Sequence, residues 1–94
     1  MHVAVCEIKL NLEGVASLKE KRRIMKSLLR RLPQNFNVAA AEIDFQDVWQ
    51  TGMLGLVTIG NDSGYLHGIL EKAITWIEEM RPDCPIDAYR IEFR

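Results

Sequence analysis

An α+β sandwich, with four antiparallel strands backed on one face by two helices, is the fold class these 94 residues predict. Three observations lead there. The N-terminal segment alternates apolar and polar residues with a period of two, as a half-buried strand does. Two later segments repeat apolar residues every three to four positions, the period of an amphipathic helix. Clusters of proline, glycine, asparagine and aspartate punctuate the chain into six pieces in the order β-α-β-β-α-β.

The first strand covers residues 2 to 12, with Ala4, Cys6, Ile8, Leu10 and Leu12 on one side and Glu7, Lys9 and Asn11 on the other. Glu13-Gly14 breaks it. Ser17-Leu18-Lys19-Glu20 then has the spacing of a capping box, in which Ser17 and Glu20 satisfy orphan amides at a helix start. This helix is expected to run to about Leu32, where Pro33 and Asn35 stop it. A second strand follows from about Phe36 to Phe45, rich in alanine and weak in strand propensity. Residues 46 to 52 form a connection, and Met53 to Gly60 a third strand. Asn61-Asp62-Ser63-Gly64 ends that strand and supplies an N-cap. The second helix lines up Leu66, Ile69, Leu70, Ala73, Ile77 and Met80 in one stripe. After Arg81-Pro82-Asp83-Cys84-Pro85, a fourth strand runs from Ile86 to Phe93 with Tyr89, Ile91 and Phe93 on one face.

Six elements in this order, within a single domain of this length, describe the split-βαβ or ferredoxin-like sandwich. Right-handed crossovers then place the start of the first helix, the connection between strands 2 and 3, and the end of the second helix at one end of the molecule.

Composition narrows the function. Hydrophobic residues at 48% and charged residues at 27% are those of a globular domain, not of a disordered or fibrous chain. The formal net charge is −1, which excludes a uniformly basic, nucleic-acid-coating surface. That total hides an asymmetry. Residues 1–47 hold eight basic against six acidic side chains, whereas residues 48–94 hold four against seven. Two cysteines, Cys6 and Cys84, are too few for a disulfide scaffold, and free thiols suggest the cytoplasm. The N-terminus has no basic n-region, and no apolar run approaches a bilayer's thickness, so neither a secretory signal nor a membrane partner is expected.

Seven of the twelve basic residues fall in the first helix. Lys19, Arg22, Arg23, Lys26 and Arg30 form a stripe nearly opposite the apolar face of Leu18, Ile24, Met25, Leu28, Leu29 and Leu32. Such a line of cations can track phosphates, each contact releasing counterions. A merely solvated helix face accounts for the same pattern. Lys21 departs from it, falling in the middle of the apolar face. There it must reach the sheet end or meet a carboxylate, and Asp44 and Asp47 are the nearest expected acids. It makes either a structural ion pair or a shaped polar site.

The connection between strands 2 and 3 gathers further candidates. Gln46 and Gln50 can hydrogen-bond bases or backbone. Trp49 offers a stacking surface or an anchor packed on the domain end. Asp44 and Asp47, without His or Cys beside them, make a poor metal site. No phosphate-binding glycine loop, dinucleotide fingerprint, Cys-x-x-Cys pair or histidine cluster occurs, so no cofactor is expected. An acylphosphatase-type hydrolase needs an arginine after the first strand, and Glu13-Gly14-Val15-Ala16 has none. The exposed face of that strand, Val3, Val5, Glu7 and Lys9, lacks the aromatic platform of an RNA-recognition motif. It suits dimerisation as well as solvent.

The helix opening Ser17-Leu18-Lys19-Glu20-Lys21-Arg22-Arg23, then Phe36-Asn37-Val38, Ala41-Glu42-Ile43 and Gln46-Asp47-Val48-Trp49-Gln50, resembles the YlxP-like family of small uncharacterised bacterial proteins along essentially the whole chain. The resemblance implies a ferredoxin-like fold and no established activity. Members are often encoded beside translation and ribosome-maturation factors, which implies an RNA- or ribosome-linked role by association. One departure is Thr51 followed by Gly52, where members often carry a basic residue after the Trp-Gln pair.

The leading expectation is therefore a cytoplasmic RNA- or ribosome-associated binding module. Lys19, Arg22, Arg23, Lys26 and Arg30 would contact phosphates, while Lys21, Gln46, Asp47, Trp49 and Gln50 would form an end-of-domain recognition site. The alternative is a homo-oligomeric interaction domain, such as a homodimer paired through the open sheet face or a strand edge. A third reading is a small enzyme using Lys21, Asp44 and Asp47.

Overall fold

A computed structural model describes residues Met1–Arg94. The elements are β1 (His2–Asn11), α1 (Leu18–Asn35), β2 (Ala39–Asp44), β3 (Thr51–Gly60), α2 (Ser63–Met80) and β4 (Ile86–Phe93). Their order is β-α-β-β-α-β, and the four strands form one antiparallel sheet in the order β2-β3-β1-β4. This is the α+β, ferredoxin-like arrangement.

The alternation in β1 sets the layers. Ala4, Cys6, Ile8 and Leu10 are buried beneath the helices, joined from β3 by Leu54 and Leu56. Above them α1 contributes Ile24, Met25, Leu28 and Leu32, and α2 contributes Leu66, Leu70, Ala73, Ile74 and Ile77. Ile74 rather than Met80 completes the stripe of α2; Met80 lies exposed, with its sulfur 3.6 Å from Arg31 Nη2. Thr58, the one buried hydroxyl, donates to the Asn37 carbonyl at 2.7 Å, which removes the penalty of an unpaired polar group.

Both helices start as their sequences demand. Ser17 Oγ accepts from the Glu20 amide at 3.2 Å, and Glu20 Oε2 accepts from the Ala16 amide, also at 3.2 Å. Asp62 caps α2 by accepting from the amides of Gly64 and Tyr65.

Three boundaries differ from expectation. Helix α1 passes through Pro33 and ends at Asn35. Proline in the last turn removes one helical donor, and the turn recovers elsewhere: Asn35 Nδ2 donates to the Arg31 carbonyl at 2.8 Å and Phe36 N–H to Leu32 at 2.9 Å. Strand β2 is correspondingly shorter, starting at Ala39 rather than near Phe36. Strand β3 begins at Thr51, because Thr51 and Gly52 pair with Asn11 and Leu10 of β1. Cross-strand pairing overrides the turn preference of Gly52.

Hydrogen bonds fix one end of the domain. Leu12 N–H donates to the Gln50 carbonyl and Asn11 N–H to Pro85, each at 2.8 Å. The β2–β3 loop and the α2–β4 loop therefore flank the end of β1, where α1 also begins.

Candidate functional site

Lys21 is completely buried on the apolar side of α1, and its ammonium leaves that layer only at the β2–β3 loop. There it donates to the carbonyls of Phe45, in a short contact, and Val48, at 2.6 Å. Glu42 Oε2 lies 3.2 Å away, an ion pair rather than an aligned hydrogen bond, since that oxygen makes none. Two hydrogen bonds and one close carboxylate thus surround the enclosed ammonium and offset its desolvation.

The partner differs from the expected Asp44 or Asp47. In β2, Ala40 and Glu42 pair with the buried Leu56 and Leu54 of β3, so Glu42 comes within reach of α1, and a bulge after Glu42 breaks the alternation before Asp44. Asp44 instead turns back locally, its Oδ1 accepting from the Phe45 amide at 2.8 Å. Asp47 projects into solvent with its side chain 94% exposed, 3.9 Å from Arg22 Nη2. The structure therefore does not bring Lys21, Asp44 and Asp47 together. The signal for Glu42 was its parity with Ala40, readable only once the pairing of β2 is known.

The clasp shapes the loop. Phe45 adopts φ = +60°, the left-handed conformation that non-glycine residues seldom take. Its carbonyl accepts from Val48 N–H at 3.1 Å as well as from Lys21. The Asp44 carboxylate, the Val48 amide and the Lys21 ammonium over-determine this strained residue. The loop then presents Gln46, Val48, Trp49 and Gln50 to solvent; Trp49 is 42% exposed. Lys9 Nζ sits 5.9 Å from the Phe45 ring centroid on the open side of the sheet.

Lys19, Arg22, Arg23, Lys26 and Arg30 all stand exposed along α1. Of these, Arg22 alone lies within 4.0 Å of a carboxylate, that of Asp47. Arg31 is excluded from the stripe, stacking 5.2 Å over the Trp76 ring. Lys19 and Arg23 of the stripe share a groove with Arg81, the C-cap residue of α2. Arg81 was not among the residues singled out by sequence, because no periodicity ties the end of α2 to the start of α1.

No three His, Cys, Asp or Glu side chains converge as a metal site would need. Burial, with Glu7 and Glu71 adding to it, pushes the Cys6 thiol up to about 11, and burial also raises Cys84. Neither is an activated nucleophile.

The family model described as "Protein of unknown function (DUF503)" matches residues 3–90. The chain belongs to that family. It is 29% identical over 76 residues to the Bacillus subtilis (strain 168) protein named "Uncharacterized protein YlxP", covering 81% of this chain and 83% of the relative. The family match takes in the whole of α1, the Lys21 clasp and the loop that it holds. No helix of this family member is long and apolar enough to cross a membrane.

Proposed function

We propose that this protein is a cytoplasmic binding module for structured RNA, such as that of a ribosomal subunit. The observation that carries the reading is the exposed stripe of α1. Lys19, Arg23, Lys26 and Arg30 have no carboxylate within 4.0 Å, so their charge is free to meet phosphates. Arg22 links the stripe to the loop, exchanging the solvent-exposed Asp47 for a phosphate when RNA arrives.

The loop adds what a charge stripe lacks. Trp49 offers a ring for base stacking, and Gln46 and Gln50 offer both donors and acceptors. Lys21 acts as a positioning residue: it holds the loop by its carbonyls so that Trp49 stands beside the stripe. Two unpaired, buried cysteines agree with a reducing compartment.

Filter binding to ribosomal RNA tests the reading. Affinity should fall steeply with salt and drop at least tenfold when Arg22, Arg23 and Lys26 are all changed to Glu. Trp49→Ala should weaken binding by about 1–3 kcal/mol while leaving the salt slope unchanged. No binding by the wild-type protein, or binding indifferent to the triple change, refutes it.

A second reading has its own support. The sheet face opposite the helices carries Val3, Val5, Met53, Val57 and Ile59, beside an apolar hollow of about 310 Å³ over Ala39, Ala41 and Gly55. Its occupant would be a second copy of the chain, making a self-complementary two-fold contact. A monomeric mass in light scattering at high concentration would remove that reading.

A further inference from the structure

The groove between α1 and the end of α2 has no part in the fold's core, yet its lining is chemically one-sided. Lys19, Arg23 and Ser27, spaced four residues apart on α1, form one wall above Ile24. Arg81 forms the other wall. The space between measures about 520 Å³, room for a phosphate group and the chain attached to it.

Three basic side chains against one acid give the groove a net positive character. Lys19 and Arg23 have no carboxylate within 4.0 Å. One acid, Glu20, lines the groove, and its Oε2 accepts the Ala16 amide at 3.2 Å in the helix cap. Arg81 is held by Asp83 through Nη2 at 2.8 Å, a single acceptor for a five-donor group, while its Nε is enclosed and lies out of a ligand's reach. Asp83 therefore orients the guanidinium without meeting its full hydrogen-bonding capacity. The first turn of α1, with Ser17 at its cap, adds the positive end of the helix dipole.

We infer that this groove is a phosphate-binding subsite in which Lys19 and Arg23 of α1 and Arg81 of α2 grip one phosphate from two sides. A stripe on one helix neutralises phosphates without fixing them. Cations on two elements, facing across a gap, select a position for one. The inference rests on the RNA-binding reading for the source of the phosphate. It deepens that reading by giving RNA a path, from Trp49 across Arg22 and the stripe to the groove. A free phosphorylated small molecule shares the same chemistry, and the test separates the two.

Ribosomal RNA binding is measured for the wild type, Arg81→Gln, the Lys19→Gln/Arg23→Gln pair, and Lys72→Gln. Lys72 is an exposed cation of α2 outside the groove and controls for bulk charge. Inorganic pyrophosphate is titrated in parallel, followed by the amide resonances of residues 17–27 and 81. Arg81→Gln should weaken RNA about three- to tenfold and lower the salt slope by about one, whereas Lys72→Gln should change affinity less than about twofold. Should Arg81→Gln melt early, the wild-type pyrophosphate titration carries the prediction instead, with the amides of residues 17–27 and of residue 81 shifting together. RNA bound equally well by wild type and Arg81→Gln, but more weakly by the pair, overturns the groove and leaves the RNA reading standing. An equal loss in Lys72→Gln also overturns it. No RNA binding, with pyrophosphate shifts abolished by Arg81→Gln, keeps the groove as a site for a free phosphorylated molecule and overturns the RNA reading. Neither RNA binding nor pyrophosphate shifts overturns both.

Discussion

Replacing Lys21 by methionine keeps the unbranched side chain as far as Cε and removes its ammonium. The carbonyls of Phe45 and Val48 then lose a charged donor, and Glu42 loses its cation. A buried ion pair broken on one side costs about 3–5 kcal/mol. Glu42 is 21% exposed and can turn toward water, so the lower part of that range applies, about 3 kcal/mol. For a domain of this size that is a fall in melting temperature of roughly 12–24 °C. Urea denaturation of wild type, Lys21→Met, Glu42→Gln and the double variant gives the pair's coupling directly. The indole resonances add a local reading: Trp49, on the clasped loop, should shift and broaden in Lys21→Met, whereas Trp76, packed against Phe36, should not. A loss below about 1 kcal/mol, with an unchanged Trp49 signal, would show that Lys21 does not hold the loop.

Two further predictions concern the core. A Cβ on Gly52 would lie 3.0 Å from Met25 Sδ and 3.2 Å from Leu12 Cδ1, so Gly52→Ala should cost about 1–2 kcal/mol and Gly52→Val more. Gly14→Ala, which meets nothing within 4 Å, should stay within about 0.5 kcal/mol of wild type; equal effects in a denaturation series would contradict the packing. The Cys6 thiol, pushed up to about 11, makes stability fall at high pH. Both states keep the proton below about pH 9, the unfolded thiol ionises above it, and the folded one resists until about pH 11. Stability should therefore drop by about 2–3 kcal/mol over that window, and Cys6→Ala should flatten the curve. A wild-type urea midpoint as flat as that of Cys6→Ala from pH 8 to 10.5 would show that Cys6 is not desolvated.

Much of the candidate site was legible along the chain because helices and strands write their faces as periods. Placing Lys19, Arg22, Arg23, Lys26 and Arg30 on one exposed stripe needed only 100° per residue, and all five are exposed. Lys21 declared itself by falling on the wrong side of the same wheel. Its partner did not. Glu42, Asp44 and Asp47 lie within six positions of one another, and their roles depend on strand parity, a left-handed Phe45 and the loop's path. Arg81 was hidden for a related reason, since its meeting with Lys19 and Arg23 joins residues more than fifty positions apart.

Local chemistry by itself determined the order of six elements, both helix caps, the inward face of β1 and the cationic face of α1. These depend on neighbours within about one helical turn or two strand positions. Tertiary packing decided the rest. It carried α1 through Pro33 because Leu32 is buried and the last turn found other donors. It drew Gly52 into β3 by pairing with Leu10, and it chose Glu42 for Lys21. A buried charge takes whichever acceptors the fold brings within reach, and that proximity belongs to the assembled domain.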